Sequence, residues 1–281
     1  MTRRVCIIGH PVAHSRSPLL HGYWLRHYGI DGSYGREDVP PERIGDFLTG
    51  FAASGYVGAN VTVPHKEAAF AAVAAADDVA QALGAVNTLW LENGRLVGAN
   101  TDQHGFLANL DAGAPGWDTR ATAAVVLGAG GAARAIVHGL LARGIARVAV
   151  VNRTPERAQA LRARFGSGVE PAGWDDLPQL LAGAGLLVNT TSLGMKGQPP
   201  LDIDLSPLPA DAVVSDAVYV PLETPLIRAA RARGLATVDG LGMLLHQAVP
   251  GFERWFGIRP EVTTELRDLA VADLAAKGQL T

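Results

Sequence analysis

Ala124-Val125-Val126-Leu127-Gly128-Ala129-Gly130-Gly131-Ala132-Ala133, residues 124–133, is the stretch on which the architecture turns. Four apolar residues that suit a buried strand run into a G-x-G-x-x-(G/A) turn, and helix-forming sequence follows to about residue 143. The glycines permit a tight turn and close backbone approach, and the helix start offers free N–H groups to a pyrophosphate. A second strand, residues 147–151, ends at Asn152, so the turn sits in a strand–turn–helix–strand unit of dinucleotide-binding type. Outward from it the rhythm continues, with strands expected at 185–188 and 212–215, a helix after Pro225 and a strand at 236–238. Upstream, strands are expected at 5–8 and 59–63 and a helix at 64–76. Val- and Ile-rich runs alternating with alanine-rich stretches read as α/β.

We therefore expect two domains. An N-terminal α/β substrate domain spans 1–103, and a Rossmann-type, doubly wound parallel-sheet dinucleotide domain spans 104–239. Helices in 240–281 are expected to pack back on the first domain, with Gly240-Leu241-Gly242 as a hinge turn.

The chain has 281 residues, 48% hydrophobic and 18% charged, with a formal net charge of −3. No basic block is present, which argues against nucleic acid and anionic membranes as partners. The single cysteine, Cys6, allows no internal disulfide and suits a reducing cytoplasm. Four apolar residues before Gly9 are too few for a signal-peptide core, and no run approaches membrane-spanning length. Arginines number 21 and lysines three, Lys66, Lys196 and Lys277. Where arginine is the default cation, a lysine marks a place that needs an amine able to lose its proton.

The end of the second strand of the dinucleotide unit bears on the cofactor. NAD enzymes place an acid there for the ribose 2′-hydroxyl, whereas this chain reads Asn152-Arg153-Thr154-Pro155-Glu156-Arg157. Thr154 and Pro155 have an ordinary account as helix cap and first residue. Arg157 does not, because a cation in the first turn opposes the helix dipole by about 0.3–1 kcal/mol. A 2′-phosphate between Arg153 and Arg157 reverses that sign, so NADP is the expected cofactor.

Polar clusters in the first hundred residues mark a second site. In His14-Ser15-Arg16-Ser17-Pro18 two hydroxyls at spacing two precede a helix and suit a carboxylate, although helix capping explains them equally. In Asn60-Val61-Thr62-Val63-Pro64-His65-Lys66, strand alternation puts Asn60 and Thr62 on one face. Lys66 falls in a first helical turn, where the dipole disfavours a cation, as suits a general base, although a surface lysine paired with a nearby glutamate is the ordinary alternative. Gly84-Ala85-Val86-Asn87-Thr88 and Gly98-Ala99-Asn100-Thr101-Asp102 each end an apolar stretch in polar residues. Nothing in the sequence shows that Asp102 meets Lys66.

Taken in order these segments, with Asn189-Thr190-Thr191-Ser192-Leu193-Gly194-Met195 and Gly240-Leu241-Gly242-Met243-Leu244-Leu245-His246-Gln247, resemble the shikimate dehydrogenase family over essentially the whole chain. The resemblance implies NADP-dependent reduction of 3-dehydroshikimate to shikimate, on the route to aromatic amino acids. It implies Ser15 and Ser17 at the substrate carboxylate, and Asn60, Thr62, Asn87, Asp102, Tyr219 and Gln247 at the ring hydroxyls. Lys66 and Asp102 become the catalytic pair, sitting across a cleft between the domains. For the cofactor it implies Gly128, Ala129, Gly130, Gly131, Ala132, Asn152, Arg153, Thr154 and Arg157, with Ala217 and Gly240 near the nicotinamide and Asp78 in addition. No metal is implied, and the expected partner is a small molecule bound by a monomer or homodimer. Gly22 departs from the asparagine that commonly follows the family's histidine.

Two alternatives remain open at this point. A quinate or quinate/shikimate dehydrogenase shares the fold, but such relatives often resemble Ser-x-Thr at the first cluster and carry an acid at the cofactor strand. A non-catalytic NADP-binding sensor needs no Lys66 and Asp102 together.

Overall fold

β-Branched runs favour strands, and the alanine-rich stretches between them favour helices. The computed structural model describes residues 2–280 and divides them into two units. The first comprises the chain up to Asp102 with Gln247–Ala270, and the second comprises Gln103–His246 with the chain from Val271 onward.

The first unit contains β1 (Arg3–Gly9), α1 (Ser17–His27), β2 (Gly32–Asp38), α2 (Ile44–Thr49), β3 (Tyr56–Val61), α3 (Lys66–Ala72), β4 (Ala75–Ala76), α4 (Asp78–Leu83), β5 (Thr88–Glu92) and β6 (Arg95–Ala99). Its six strands lie in the order β2-β1-β3-β5-β6-β4. β5 pairs antiparallel with both β3 and β6, so this sheet is mixed. The cause is a hairpin at Asn93-Gly94, whose φ values of 52° and 75° belong to the turn that joins two strands of native twist.

Helix α5 (Asp102–Gly113) leads into the second unit, with α6 (Trp117–Arg120), β7 (Ala123–Leu127), α7 (Gly131–Ala142), β8 (Arg147–Val151), α8 (Pro155–Phe165), β9 (Val169–Ala172), α9 (Leu177–Leu181), β10 (Leu186–Asn189), β11 (Val213–Asp216), α10 (Pro225–Ala232) and β12 (Ala236–Val238). Every pairing is parallel and the order is β12-β11-β10-β7-β8-β9. Read from the other edge this is 3-2-1-4-5-6, the doubly wound order, which reverses between β7 and β10. β7, β10 and β11 are buried along their whole length, as a sheet covered on both faces requires. Helices α11 (Gly240–Phe256) and α12 (Thr264–Ala276) close the chain.

Three expectations need correction. The helix expected at 64–76 begins at Lys66, after a turn in which His65 N–H bonds Thr62 O, and ends at Ala72. Residues 75–76 then pair with β6 instead of continuing the helix. Gly240-Leu241-Gly242 is no hinge turn but the start of α11, where Asp239 Oδ1 accepts from Leu241 N–H at 3.1 Å. Those glycines serve packing, since a Cβ on Gly242 would lie 1.8 Å from Asn109 Oδ1. The return of 240–281 to the first unit is also narrower than expected, being confined to Gln247–Ala270.

Candidate active site

Lys66 and Asp102 both open helices in the first unit, and Lys66 Nζ donates to Asp102 Oδ2 at 2.5 Å. They are in direct contact within one unit rather than facing each other across a gap. The Lys66 side chain is 28% exposed and that of Asp102 only 8%, so the ammonium is the reachable member. The start of α5 also suits Asp102, because the helix dipole there stabilises a carboxylate.

Asn87 holds the pair in place. Its Nδ2 donates to Asp102 Oδ1 at 2.9 Å and to Thr101 Oγ1 at 3.1 Å. Its Oδ1 accepts from Thr101 N–H and from Thr88 Oγ1, both at 2.9 Å. The amide is thus fully engaged, so a ring hydroxyl held by Asn87 would replace one of these partners. Thr101 Oγ1 in turn donates to the backbone oxygen of Gln247 at 2.8 Å, which ties the start of α5 to α11.

The serine cluster continues this network. Ser15 Oγ accepts from Ser17 N–H and donates to Ser17 Oγ, each at 3.3 Å, while α1 has no side-chain cap at its N-cap position, Arg16. Capping by the N-cap side chain therefore does not account for the two hydroxyls. The Ser17 hydroxyl lies beside Tyr34, whose Oη donates to Asn60 Oδ1 at 2.6 Å. Asn60 Nδ2 donates to Asn87 O at 3.1 Å and to Thr88 Oγ1 at 3.2 Å. Both Asn60 donors are committed, which leaves it only an acceptor for a ring hydroxyl. Thr62 follows β3, its methyl packed against Gly9.

Sequence reasoning missed Tyr34 and the residue beneath it. The Tyr34 ring stacks on His21 at 4.1 Å between centroids and 2° between planes. His21 is fully buried, with no hydrogen-bond partner for either ring nitrogen. Burial pushes its pKa down to about 3, against a weaker opposite pull from the Asn60 side chain. It is a neutral plate under Tyr34.

In the second unit Gly128 follows β7 with φ 99°, and a Cβ there would lie 2.7 Å from Oγ1 of Thr190, which follows β10. The switch point is thus closed by a glycine. Around Gly130 and Gly131 the space is open, with nothing within 4 Å of an added Cβ. Helix α7 carries no side-chain cap at Gly130, so its first N–H groups suit an anion. Ala129, Gly130, Gly131 and Arg157 border a cavity of about 330 Å³. Asn152, at the end of β8, donates from Nδ2 to Thr154 O at 2.8 Å, and Thr154 stands at the N-cap of α8 without a capping bond. Arg153 is exposed on the same turn but is not part of the cavity lining. The open turn, the uncapped helix and a strand end without an acid fit a phosphorylated dinucleotide. Asp78 is exposed in the first turn of α4, in the first unit.

Asp216, a further residue that sequence reasoning passed over, organises the loops after β10 and β11. It accepts from Asn189 Nδ2 at 2.9 Å, Val218 N–H at 3.0 Å and Thr224 Oγ1 at 2.6 Å. Its pKa is pushed up to about 6 by burial, which outweighs these three donors. The staple brackets Ala217, and a Cβ on Gly240 would lie 2.5 Å from Ala217 O, so those two expected cofactor residues are neighbours. Tyr219 follows in the same loop. The sequence signal for Asp216 was an acid soon after the apolar run Ala212-Val213-Val214.

Among the described residues no group of His, Cys, Asp and Glu gathers as a metal site, and no helix is long and apolar enough to cross a membrane.

Comparison with known proteins shows the family. Residues 7–89 match the family described as shikimate dehydrogenase substrate binding domain. Residues 114–195 match shikimate / quinate 5-dehydrogenase, and 240–264 the shikimate 5′-dehydrogenase C-terminal domain. A shikimate dehydrogenase (NADP(+)) of Azorhizobium caulinodans is 65% identical over 278 residues, 99% of each chain. Among solved structures, Thermus thermophilus shikimate 5-dehydrogenase with NADP(H) and shikimate aligns at TM-score 0.86 and 38% identity, covering 96% of this chain and 99% of that one. A Corynebacterium glutamicum quinate dehydrogenase with NAD aligns at TM-score 0.88 and 31% identity, covering 96% and 99%.

Proposed function

The chain belongs to the shikimate dehydrogenase family, and from that premise we propose that Lys66 transfers the proton in its reaction while Asp102 orients Lys66. The reaction is the reversible, NADP-dependent reduction of 3-dehydroshikimate to shikimate, a step toward the aromatic amino acids. The observation that carries the residue assignment is the 2.5 Å contact between the two side chains, with Asp102 fixed from its other oxygen by Asn87.

NADPH, when bound, supplies the hydride that reduces the C3 ketone. The ketone oxygen becomes an alkoxide and needs one proton. As an ammonium, Lys66 donates one N–H to Asp102 and keeps two with which to stabilise and protonate that oxygen. In the oxidative direction the amine takes the proton from the C3 hydroxyl. Asp102 keeps lone pairs beyond those used by Lys66 and Asn87, and with them accepts from a ring hydroxyl.

Ser15 and Ser17 donate to the substrate carboxylate. Asn60, Thr62, Asn87, Tyr219 and Gln247 hold ring hydroxyls, Asn60 as acceptor. The turn Gly128–Ala132 receives the pyrophosphate, the segment Asn152-Arg153-Thr154 with Arg157 receives the 2′-phosphate, and Ala217 and Gly240 border the nicotinamide. Asp78 stands in the same proposal as an outlying cofactor contact. The enzyme works as a cytoplasmic monomer or homodimer. The test is a steady-state comparison of shikimate and quinate, each with NADP and NAD. Preference for shikimate with NADP is expected; equal use of quinate contradicts the assignment of Ser15 and Ser17, and equal use of NAD that of the Asn152–Arg157 segment.

A further inference from the structure

The cavity beside the glycine-rich turn holds more positive charge than Arg157. Arg134 of α7 and Arg164 of α8 also line it, with Ala160 and Leu161 as its apolar wall. Arg157, Leu161 and Arg164 stand at i, i+4 and i+7, one face of α8. Helical side chains lean toward their own N-terminus, which carries Arg164 toward Arg157 and the turn. Helices α7 and α8 meet next to Arg164, the rings of His138 and Phe165 lying 5.5 Å apart between centroids. The pKa of His138, one turn beyond Arg134, is lowered first by burial and then by the charge of Arg164.

Arginines at three positions border about 330 Å³, and a dianion among them is attracted by each. A phosphate monoester carries about 1.5–2 negative charges and three acceptor oxygens. Guanidinium forks match such oxygens in pairs. We propose that Arg134 and Arg164 complete, with Arg157, a three-arginine clamp on the cofactor's 2′-phosphate, and that Arg164 is a determinant of NADP over NAD. This rests on reading the turn and the Asn152–Arg157 segment as the cofactor site.

The experiment measures dissociation constants of NADP and NAD for the parent and for Arg134→Gln, Arg157→Gln, Arg164→Gln and Arg164→Lys. Arg162→Gln is the control, since it removes a charge from α8 without touching the cavity. Arg134→Gln and Arg164→Gln should each weaken NADP about ten-fold or more, the scale of a charge-assisted hydrogen bond, with NAD shifted less than about two-fold. Arg164→Lys should fall between parent and Arg164→Gln, because it keeps the charge and loses the fork. Adenosine 2′,5′-bisphosphate should lose affinity in parallel with NADP. An NADP loss no larger than that of Arg162→Gln, or equal losses of NADP and NAD, overturns the clamp. If Arg157→Gln is selective while Arg164→Gln is not, the clamp alone fails. If Arg157→Gln is also without effect, the cofactor reading of the segment fails with it.

Discussion

Lys66 Nζ and Asp102 Oδ2 meet at 2.5 Å although 36 positions separate them in the chain. Each stands at the first position of a helix, where the backbone field favours the carboxylate and opposes the ammonium. The lysine is tolerated there because the aspartate lies against it, and the aspartate is fixed from its other oxygen by Asn87. A partly exposed cation on a buried, doubly anchored anion suits the proton transfer proposed for Lys66.

Removal of the amine should therefore act on turnover. Lys66→Ala is expected to lower kcat by at least about 10²-fold, the lower end for general acid–base catalysis, with a modest change in KM for shikimate. Asp102 keeps its Asn87 bond and the helix start, so the variant should fold. A kcat within a few-fold of the parent removes Lys66 from the mechanism.

Asn87 should behave differently, because it anchors both Asp102 and Thr101. Asn87→Ala leaves Thr101 N–H and one Asp102 oxygen without their partners, at about 1–3 kcal/mol for each buried group. The expected outcome is a lower unfolding midpoint together with reduced kcat. Unchanged stability would show that water or a rearranged Thr88 replaces the amide. The comparison is denaturant unfolding of the two proteins beside their steady-state rates.

How far all this is legible in the sequence differs from residue to residue. The turn at Gly128 announces its strand and helix because the signal is local, and the parallel sheet follows from the βα rhythm around it. The β5–β6 hairpin has a local signal too, Asn93-Gly94, but the flanking apolar runs are short enough to pass as loop. Gly240 and Gly242 mislead because glycine serves a hinge and a close helix contact equally well. The Lys66–Asp102 contact and the stacking of Tyr34 on His21 cannot be read at all, since only the folded sheet brings those segments together. Arg164 lies between, seven residues after Arg157 on a visible helical face, but opposite a helix whose position the sequence does not state.

The proposed 2′-phosphate site at Arg153 and Arg157 makes a prediction about cofactor choice. Replacing both with Gln should weaken NADP by about 1.5–3 kcal/mol for each charge-assisted bond lost and leave NAD much less affected. Because Arg157 borders the cavity and Arg153 does not, Arg157 should account for most of the loss. Equal efficiency of NAD and NADP in the parent, measured as kcat/KM, contradicts the assignment.

Asp216 should imprint its burial on the pH dependence of stability. Its folded pKa, about 6, lies above the ordinary 3.8, so the native state holds this proton more tightly than the unfolded chain. Stability is then greatest below the unfolded value and is lost as pH rises through the folded one. The loss amounts to about 3 kcal/mol. Asp216→Asn removes the titration, so the parent should lose about that much relative to the variant between pH 4 and pH 7. Unfolding free energies of both proteins across the interval check it, and a constant difference rules it out.

In the proposed site, substrate choice falls to the two serines. The ring carbon that bears the carboxylate is trigonal in shikimate, whereas in quinate it is tetrahedral and carries a hydroxyl, so one pair of donors cannot fit both equally. Ser17 is 9% exposed and lies beside Tyr34, which leaves little room around its hydroxyl. Ser17→Thr adds one methyl to that wall, and a change of that size is worth about 1–3 kcal/mol in discrimination. The parent should prefer shikimate strongly, and the shikimate/quinate ratio of kcat/KM at saturating NADP should move about ten-fold or more in Ser17→Thr. Ser15→Ala should raise KM for shikimate and leave cofactor affinity nearly unchanged, since only the carboxylate loses a donor. The Lys66–Asp102 geometry does not depend on either serine, so kcat for shikimate at saturation should change less than KM. A parent that oxidises quinate as well as shikimate would show that the two hydroxyls do not select the trigonal acid, while leaving the proton-transfer pair untouched.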